Sequence, residues 1–349
     1  MRLKSFARVS LFAALIAMLP NAASLAAPAA GPSGYHLVQK VTLGGEGGWD
    51  CLTTDPVTRR LFVTHSTHVM VVSADTGKIV GDIADTPGVH DVAIAEDTGR
   101  GFISNGGNNT ATIFDLKTLQ IIGHAQTGAR PDAALYDVVS HRVFVFNGGS
   151  SDVTAINAAT GEVAGTIALG GKPEFAVADG AGNIYVNLED KSQLAALDSR
   201  TLRIKQRWPL APCEEPSGLA FDAVHSRLFV GCHNQIMAVV DAHSGKVVTT
   251  VPIGSGVDGT RFDAVSGLVF SSNGDGTLTV VHEDEPDKYT VVENVATERG
   301  ARTLELDPKT HNVYLLTADL KPTQPTAENP HPRPSVVPGT FRLLIFSRR

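Results

Sequence analysis

The chain lacks the short motifs that announce a chemistry. Its 349 residues contain no Gly-x-Ser-x-Gly elbow, no phosphate-binding loop, no dinucleotide fingerprint between a strand and a helix, and no His-Glu-x-x-His. This leaves serine-hydrolase, P-loop, Rossmann and zincin readings without support. Positive charge is also scarce. The formal net charge is −7, with 29 Lys and Arg against 36 Asp and Glu. Polyanions are held by clustered Lys and Arg, so nucleic acid is the weakest partner class for this chain. There are only three cysteines, Cys51, Cys213 and Cys232. No second long apolar run follows the N-terminal one, so no membrane span is expected. Charge runs and helical periods are absent as well.

The N-terminal run has its own logic. Arg2, Lys4 and Arg8 precede an apolar stretch from Val9 to Leu19, too short to cross a bilayer, and Ser24-Leu25-Ala26 offers a small-residue cleavage site. Residues 1–27 therefore read as a secretory signal peptide, and the expected location is periplasmic or secreted. No Cys closely follows the apolar stretch, which argues against a lipid anchor. Without those three basic residues the net charge becomes about −10. Outside the cytoplasm disulfides are permitted.

What is present is a repeat. Asp55, Glu96, Asp137, Asp179, Asp222, Asp263 and Asp307 recur at separations of 41, 41, 42, 43, 41 and 44 residues. Each is followed by an aromatic-led run: Leu61-Phe62-Val63, Gly101-Phe102-Ile103, Val143-Phe144-Val145, Ile184-Tyr185-Val186, Leu228-Phe229-Val230, Val269-Phe270 and Val313-Tyr314-Leu315. Such a period marks units that cannot bury their apolar faces alone. Within the third repeat, turns separate four short apolar runs, which predicts four strands and thus a propeller blade. The tight third turns, Asp75-Thr76-Gly77, Asn157 to Gly161, Asp198 to Thr201 and Asp241 to Gly245, carry acids that read as turn makers. The seventh repeat ends the chain after its third strand, Phe341 to Phe346, while His36 to Leu43 is an orphan strand. The fold expected is an all-β, seven-bladed β-propeller of four-stranded blades, one domain over 35–349. Its N-terminal strand completes the last blade and closes the ring.

The second strands end in Asn at Asn105, Asn147 and Asn273, and Pro131, Pro173 and Pro216 open repeats. With the Thr-Gly-Lys and Thr-Gly-Glu turns, these features resemble the YVTN-type β-propeller repeat family, the YncE-like exported bacterial propellers. The resemblance covers the whole mature chain. It implies the fold and export, with binding modules, surface-layer components and, in related sevenfold folds, enzymes among the functions. His65, Leu188, Cys232 and Thr317 depart from the Asn. Trp49, His90, Val257 and Ala301 depart from the Pro.

Five positions before each anchor, where inner strands begin at the channel mouth, stand Asp50, Asp91, Asp132, Glu174, Ser217, Asp258 and Arg302. Two readings stay open. The acids cap backbone amides, or they form a ring whose charges raise one another's pKa and take a cation. Oxygen donors around one axis suit a hard divalent ion such as Ca²⁺, whereas imidazoles beside carboxylates suit a transition metal. His65, His68 and His90 are expected on the same face, so Asp50, Asp91, His65 and His90 are the metal-ligand candidates. Arg130, Lys172, Arg299 and Trp49 also approach the mouth. His141, His225, His243 and His311 are expected to be solvated and remote from it. A disulfide is expected between Cys213 and Cys232, with Cys51 buried and unpaired. Residues 318–340, rich in proline and carrying His331 and Arg333, read as an insertion over the mouth that acts as a lid or as a passive rim loop.

The functional expectation is an exported ligand-binding or protein-interaction propeller, taking a small molecule or protein at its mouth. The expected state is a monomer. A metal-dependent lactonase, lyase or hydrolase using the mouth acids with His65 or His90 is the alternative, and single-stranded nucleic acid a minor one.

Overall fold

Alternation with a period of two drives every blade. In the second strand of blade 1, Arg60–His65, residues Leu61 and Val63 pack against blade 7, whereas Phe62 packs against blade 2. Each strand thus glues two neighbours, and the repeat becomes a ring. The aromatic positions that mark the repeat form the deepest layer: Phe62, Phe102, Phe144, Phe229, Phe270 and Tyr314 are fully buried. Truncating one to Ala would cost about 3–5 kcal/mol.

The computed structural model describes residues 32–324 and 334–348. The expected signal peptide lies outside the described residues. So do His331 and Arg333. Seven four-stranded antiparallel sheets make up the seven blades, and no α-helix occurs among the described residues. The first six blades use consecutive strands. In the seventh the order is Leu304–Leu306, Val313–Thr317, Arg342–Arg348 and then the N-terminal Tyr35–Thr42. The last two run antiparallel, from Tyr35 opposite Arg348 to Thr42 opposite Arg342. Tyr35 donates its hydroxyl to the carbonyl of His311 at 2.8 Å, and Arg59 of blade 1 reaches buried Asp307 of blade 7 at 2.5 Å.

The Asp anchors act as turn makers. Asp55 accepts from the amides of Val57 and Thr58 at 3.1 and 3.0 Å, and Asp222 from that of Val224 at 2.9 Å. Asn157, Asp198 and Asp241 do the same two and three residues on. Asp75 departs from this pattern. Its carboxylate receives Arg59 at 2.8 Å, and Ser73 caps that turn through Thr76. Gly245 has φ +72°, and a Cβ there would lie 1.9 Å from the Trp208 ring, so no other residue fits.

Cys213 and Cys232 form a disulfide, with Cα atoms 5.5 Å apart, while Cys51 is buried and unpaired. The base of the insertion is a two-residue ladder, Leu320–Lys321 against Ser335–Val336. None of the insertion's described residues lines the mouth cavity. No helix among the described residues is long and apolar enough to cross a membrane.

Candidate functional site at the channel mouth

Inner strands of six blades share one irregularity. Each shifts register just after its first residue, at Trp49/Leu52, Val89/Val92, Pro131/Ala134, Pro173/Ala176, Pro216/Leu219 and Val257/Gly259. The bulge re-aims the side chains that follow.

A cavity of about 410 Å³ opens at the mouth. It gathers Asp50, Asp132, Glu174 and Asp258 from the inner strands, with His90, Lys172 and Arg302. Cys51, Arg130, Ser217, Glu189 and His233 complete the polar lining. Glu189 and His233 were not anticipated. Both stand just past a second strand that ends in a departure from Asn, Leu188 and Cys232, and those departures were the available signal.

The centre is a triad. His90 Nδ1 lies 2.6 Å from Asp50 Oδ2 and 3.4 Å from Asp132 Oδ1. The donor atoms of all three fall within 4.8 Å of one another. Gly106 makes room for the ring, since a Cβ there would sit 2.8 Å from His90 Nε2. Bonding to Asp50 holds the imidazole's pKa up despite burial, with Asp132 adding to it. Burial, then the nearby Asp50 charge, pushes Asp132 above the ordinary carboxylate range. Glu174 is raised by burial and by Asp132, although Lys172 stands 2.5 Å away and also pairs with Glu189. Asp258 is raised by burial even though Arg302 lies at 3.0 Å, and Ser217 donates to it at 3.1 Å. The Cys51 thiol is pushed up by burial and by the surrounding acids, so it stays protonated and inert. The arrangement is an over-acidic cluster held together by internal cations. It can exchange a proton for a metal ion or accept a small polar ligand.

Five expected members stand elsewhere. Asp91 points down the channel, where Oδ2 accepts the amide of Ala134 at 3.0 Å and Oδ1 that of Val92 at 2.8 Å. Burial lifts its pKa to about 7. His65 falls on the blade 7 side by the alternation described above. It is fully buried and stacks on Phe341 with centroids 4.6 Å apart, and neither ring nitrogen has a partner. Burial lowers its pKa to about 4. His68 meets the His65 ring edge-on, stands 3.7 Å from Asp82 and lines a separate shallow cavity. Trp49 stacks on Phe341 and does not line the mouth cavity, nor does Arg299. The Asn positions prove to be hairpin bridges. Asn105 and Asn147 donate to Thr112 and Thr154 of the next strand at 2.8 and 3.0 Å. Where the Asn is replaced, that position is free for a stacked His65 or a disulfide-bonded Cys232.

Of the histidines expected to be solvated, His141, His225 and His243 are exposed and His311 is half-buried, and three of the four also face a carboxylate. His141 lies 2.9 Å from Asp97, His311 3.0 Å from Asp263, and His225 2.7 Å from Asp222 and 3.3 Å from Glu283.

The opposite end of the channel holds a larger cavity of about 1250 Å³, overlooked from the sequence. Tyr136, Phe175, Phe221 and Phe262 line it, with Asp91, Arg261 and Glu305 deep inside. Three of these aromatics immediately precede an anchor acid, on the inner strand, and that position was the available signal.

Neither a protein-family model nor a curated protein matches the chain. Solved structures do. A chain of the Kuenenia stuttgartiensis hydrazine synthase is similar at 15% identity and TM-score 0.70, covering 77% of this chain and 92% of that one. A chain of a mitotic checkpoint complex is similar at 15% identity and TM-score 0.71, covering 98% and 99%. The likeness shows the fold alone. A seven-bladed propeller serves many functions, so this chain's function has to be argued from its own site.

Proposed function

We propose that the protein is an exported, YncE-like binding propeller whose mouth cavity takes a divalent transition ion, alone or with a small polar ligand completing its coordination. The convergence of Asp50, His90 and Asp132 carries this reading. Bond lengths of about 2.0–2.2 Å put tetrahedral ligand atoms about 3.3–3.6 Å apart. The separation between His90 and Asp132 is already 3.4 Å, and Asp50 has only to withdraw slightly. One imidazole with two carboxylates suits Zn²⁺ or Mn²⁺ better than Ca²⁺, which prefers oxygen alone. Residues 1–27 and the Cys213–Cys232 disulfide support export, because structural disulfides persist in oxidising compartments.

A metal-dependent lactonase, lyase or hydrolase is the second reading. It is favoured by a three-donor set beside an open cavity, which leaves coordination positions for substrate.

Thermal unfolding of the purified protein with Zn²⁺, Mn²⁺ and Ca²⁺, with and without EDTA, tests the main reading. A metal bound by the native state must raise the midpoint. Zn²⁺ or Mn²⁺ should do so in the wild type and not in His90→Ala. Equal midpoints under all conditions would end the proposal. Mass analysis of the mature N-terminus tests export.

A further inference from the structure

The lower cavity differs in chemistry from the mouth. Its walls include Tyr136, Phe175, Phe221 and Phe262, none of them fully buried, so apolar rings face the channel water. Concave, largely apolar sites with a few convergent polar groups are how proteins hold small organic molecules. The polar groups sit at depth. Glu305 takes Arg261 through Nε at 3.0 Å and Nη2 at 2.9 Å, and Thr54 donates to it at 3.2 Å. Asp91 also lines the cavity.

Charge sets the sign of the occupant. The lining carries Asp91, Glu96, Asp97, Asp137, Asp179 and Glu305 against only Arg261 and His141. Asp97, Asp137 and Asp179 are committed to local hydrogen bonds, so they supply field rather than contacts. An anion would find a single guanidinium already engaged by Glu305 and by the carbonyl of Thr260. A cation would find a lining of net negative charge and aromatic faces around it, with Glu305 already paired to Arg261 and Asp91 already bonded to the amides of Val92 and Ala134. One ring already shows that use, with the Arg261 guanidinium carbon 5.9 Å from the Phe175 centroid. Aromatic faces attract cations most strongly where water is excluded.

We infer that the lower channel cavity is a second ligand site, for an organic monocation with an apolar body, an alkyl or aryl ammonium, seated between the aromatic walls with its charge toward Asp91 and Glu305. This site is independent of the metal reading at the mouth.

Isothermal titration with benzyltrimethylammonium, with phenylacetate as the anionic control, tests it. The ammonium should bind the wild type and phenylacetate should not. Asp91→Asn and Phe221→Leu should each weaken binding about tenfold, while Asp132→Asn at the mouth and EDTA leave it unchanged. Circular dichroism confirms that each variant is folded, and the two variants probe charge and ring separately. No binding by the ammonium, equal binding of phenylacetate, or loss in Asp132→Asn but not in Asp91→Asn would each overturn the assignment.

Discussion

His90 Nδ1 lies 2.6 Å from Asp50 Oδ2, and the two residues come from neighbouring blades. The pair joins the first two inner strands across the mouth, with Asp132 of the third blade 3.4 Å from the same nitrogen. When protonated, the imidazole here does the work a metal ion would do. Metal binding must therefore release that proton, and affinity should rise with pH through the raised pKa of His90. Titrating Zn²⁺ or Mn²⁺ across pH 5–8 reads this directly, with weaker binding expected at the acid end.

Asp132→Asn removes one member of the crowded acid cluster. Burial and Asp50 already push this carboxyl up, so ionising it in the fold is unfavourable. Without metal at pH 8, the variant should gain about 1 kcal/mol, or about 2 °C in midpoint. With metal it should lose the ligand-induced rise. The opposite sign in EDTA would show that Asp132 is held by His90 more strongly than it is repelled.

His65 sets an acid limit on stability. Its folded pKa, about 4, lies below the ordinary 6.5, so its contribution is present above pH 6.5 and is lost as pH falls through 4. The loss amounts to about 3 kcal/mol. His65→Leu, the residue type that blade 4 carries at Leu188, should flatten the unfolding midpoint between pH 6.5 and 4. A wild-type slope in that variant would assign the acid sensitivity elsewhere.

Asp91 works in the other direction. Its pKa is raised from 3.8 to about 7 by burial, with Asp50 adding and Arg261 opposing. Stability from its protonated form is complete below about pH 4 and is lost as pH rises through 7. Asp91→Asn removes the charge but turns its NH2 toward the N–H of Val92 or Ala134, so the readout is the slope: the wild type should lose stability relative to the variant as pH rises from 4 to 8.

The Cys213–Cys232 bridge closes a loop across a sequence separation of 19 residues. Replacing both by Ala should lower stability by about 3 kcal/mol, matched by reductant on the wild type. A midpoint insensitive to both changes would mean the loop is already constrained in the unfolded chain.

The architecture was legible because the period, the Asp-led turns and the buried Phe positions all repeat. The missing fourth strand of blade 7 and the orphan N-terminal strand even disclosed how the ring closes. The mouth acids were legible as positions but not as directions. Asp50 and Asp91 are equivalent in the repeat and follow the same bulge, yet Asp50 lines the mouth whereas Asp91, bonded to the amides of Val92 and Ala134, lines the lower cavity. His65 looked like a surface ligand because it replaces a polar Asn, but alternation along Arg60–His65 places it against Phe341. Side-chain direction after a bulge depends on packing between blades, which no single repeat carries. The lower cavity was missed for a related reason: Tyr136, Phe221 and Phe262 are ordinary strand aromatics in the sequence, and only the ring leaves space between them.

Anomalous diffraction from crystals soaked in Mn²⁺ or Zn²⁺ tests the central claim most directly. The account predicts one strong peak at the channel mouth, about 2.0–2.2 Å from His90 Nδ1 and from oxygens of Asp50 and Asp132. A fully substituted crystal with no peak there, and His90 still bonded to Asp50, would contradict it.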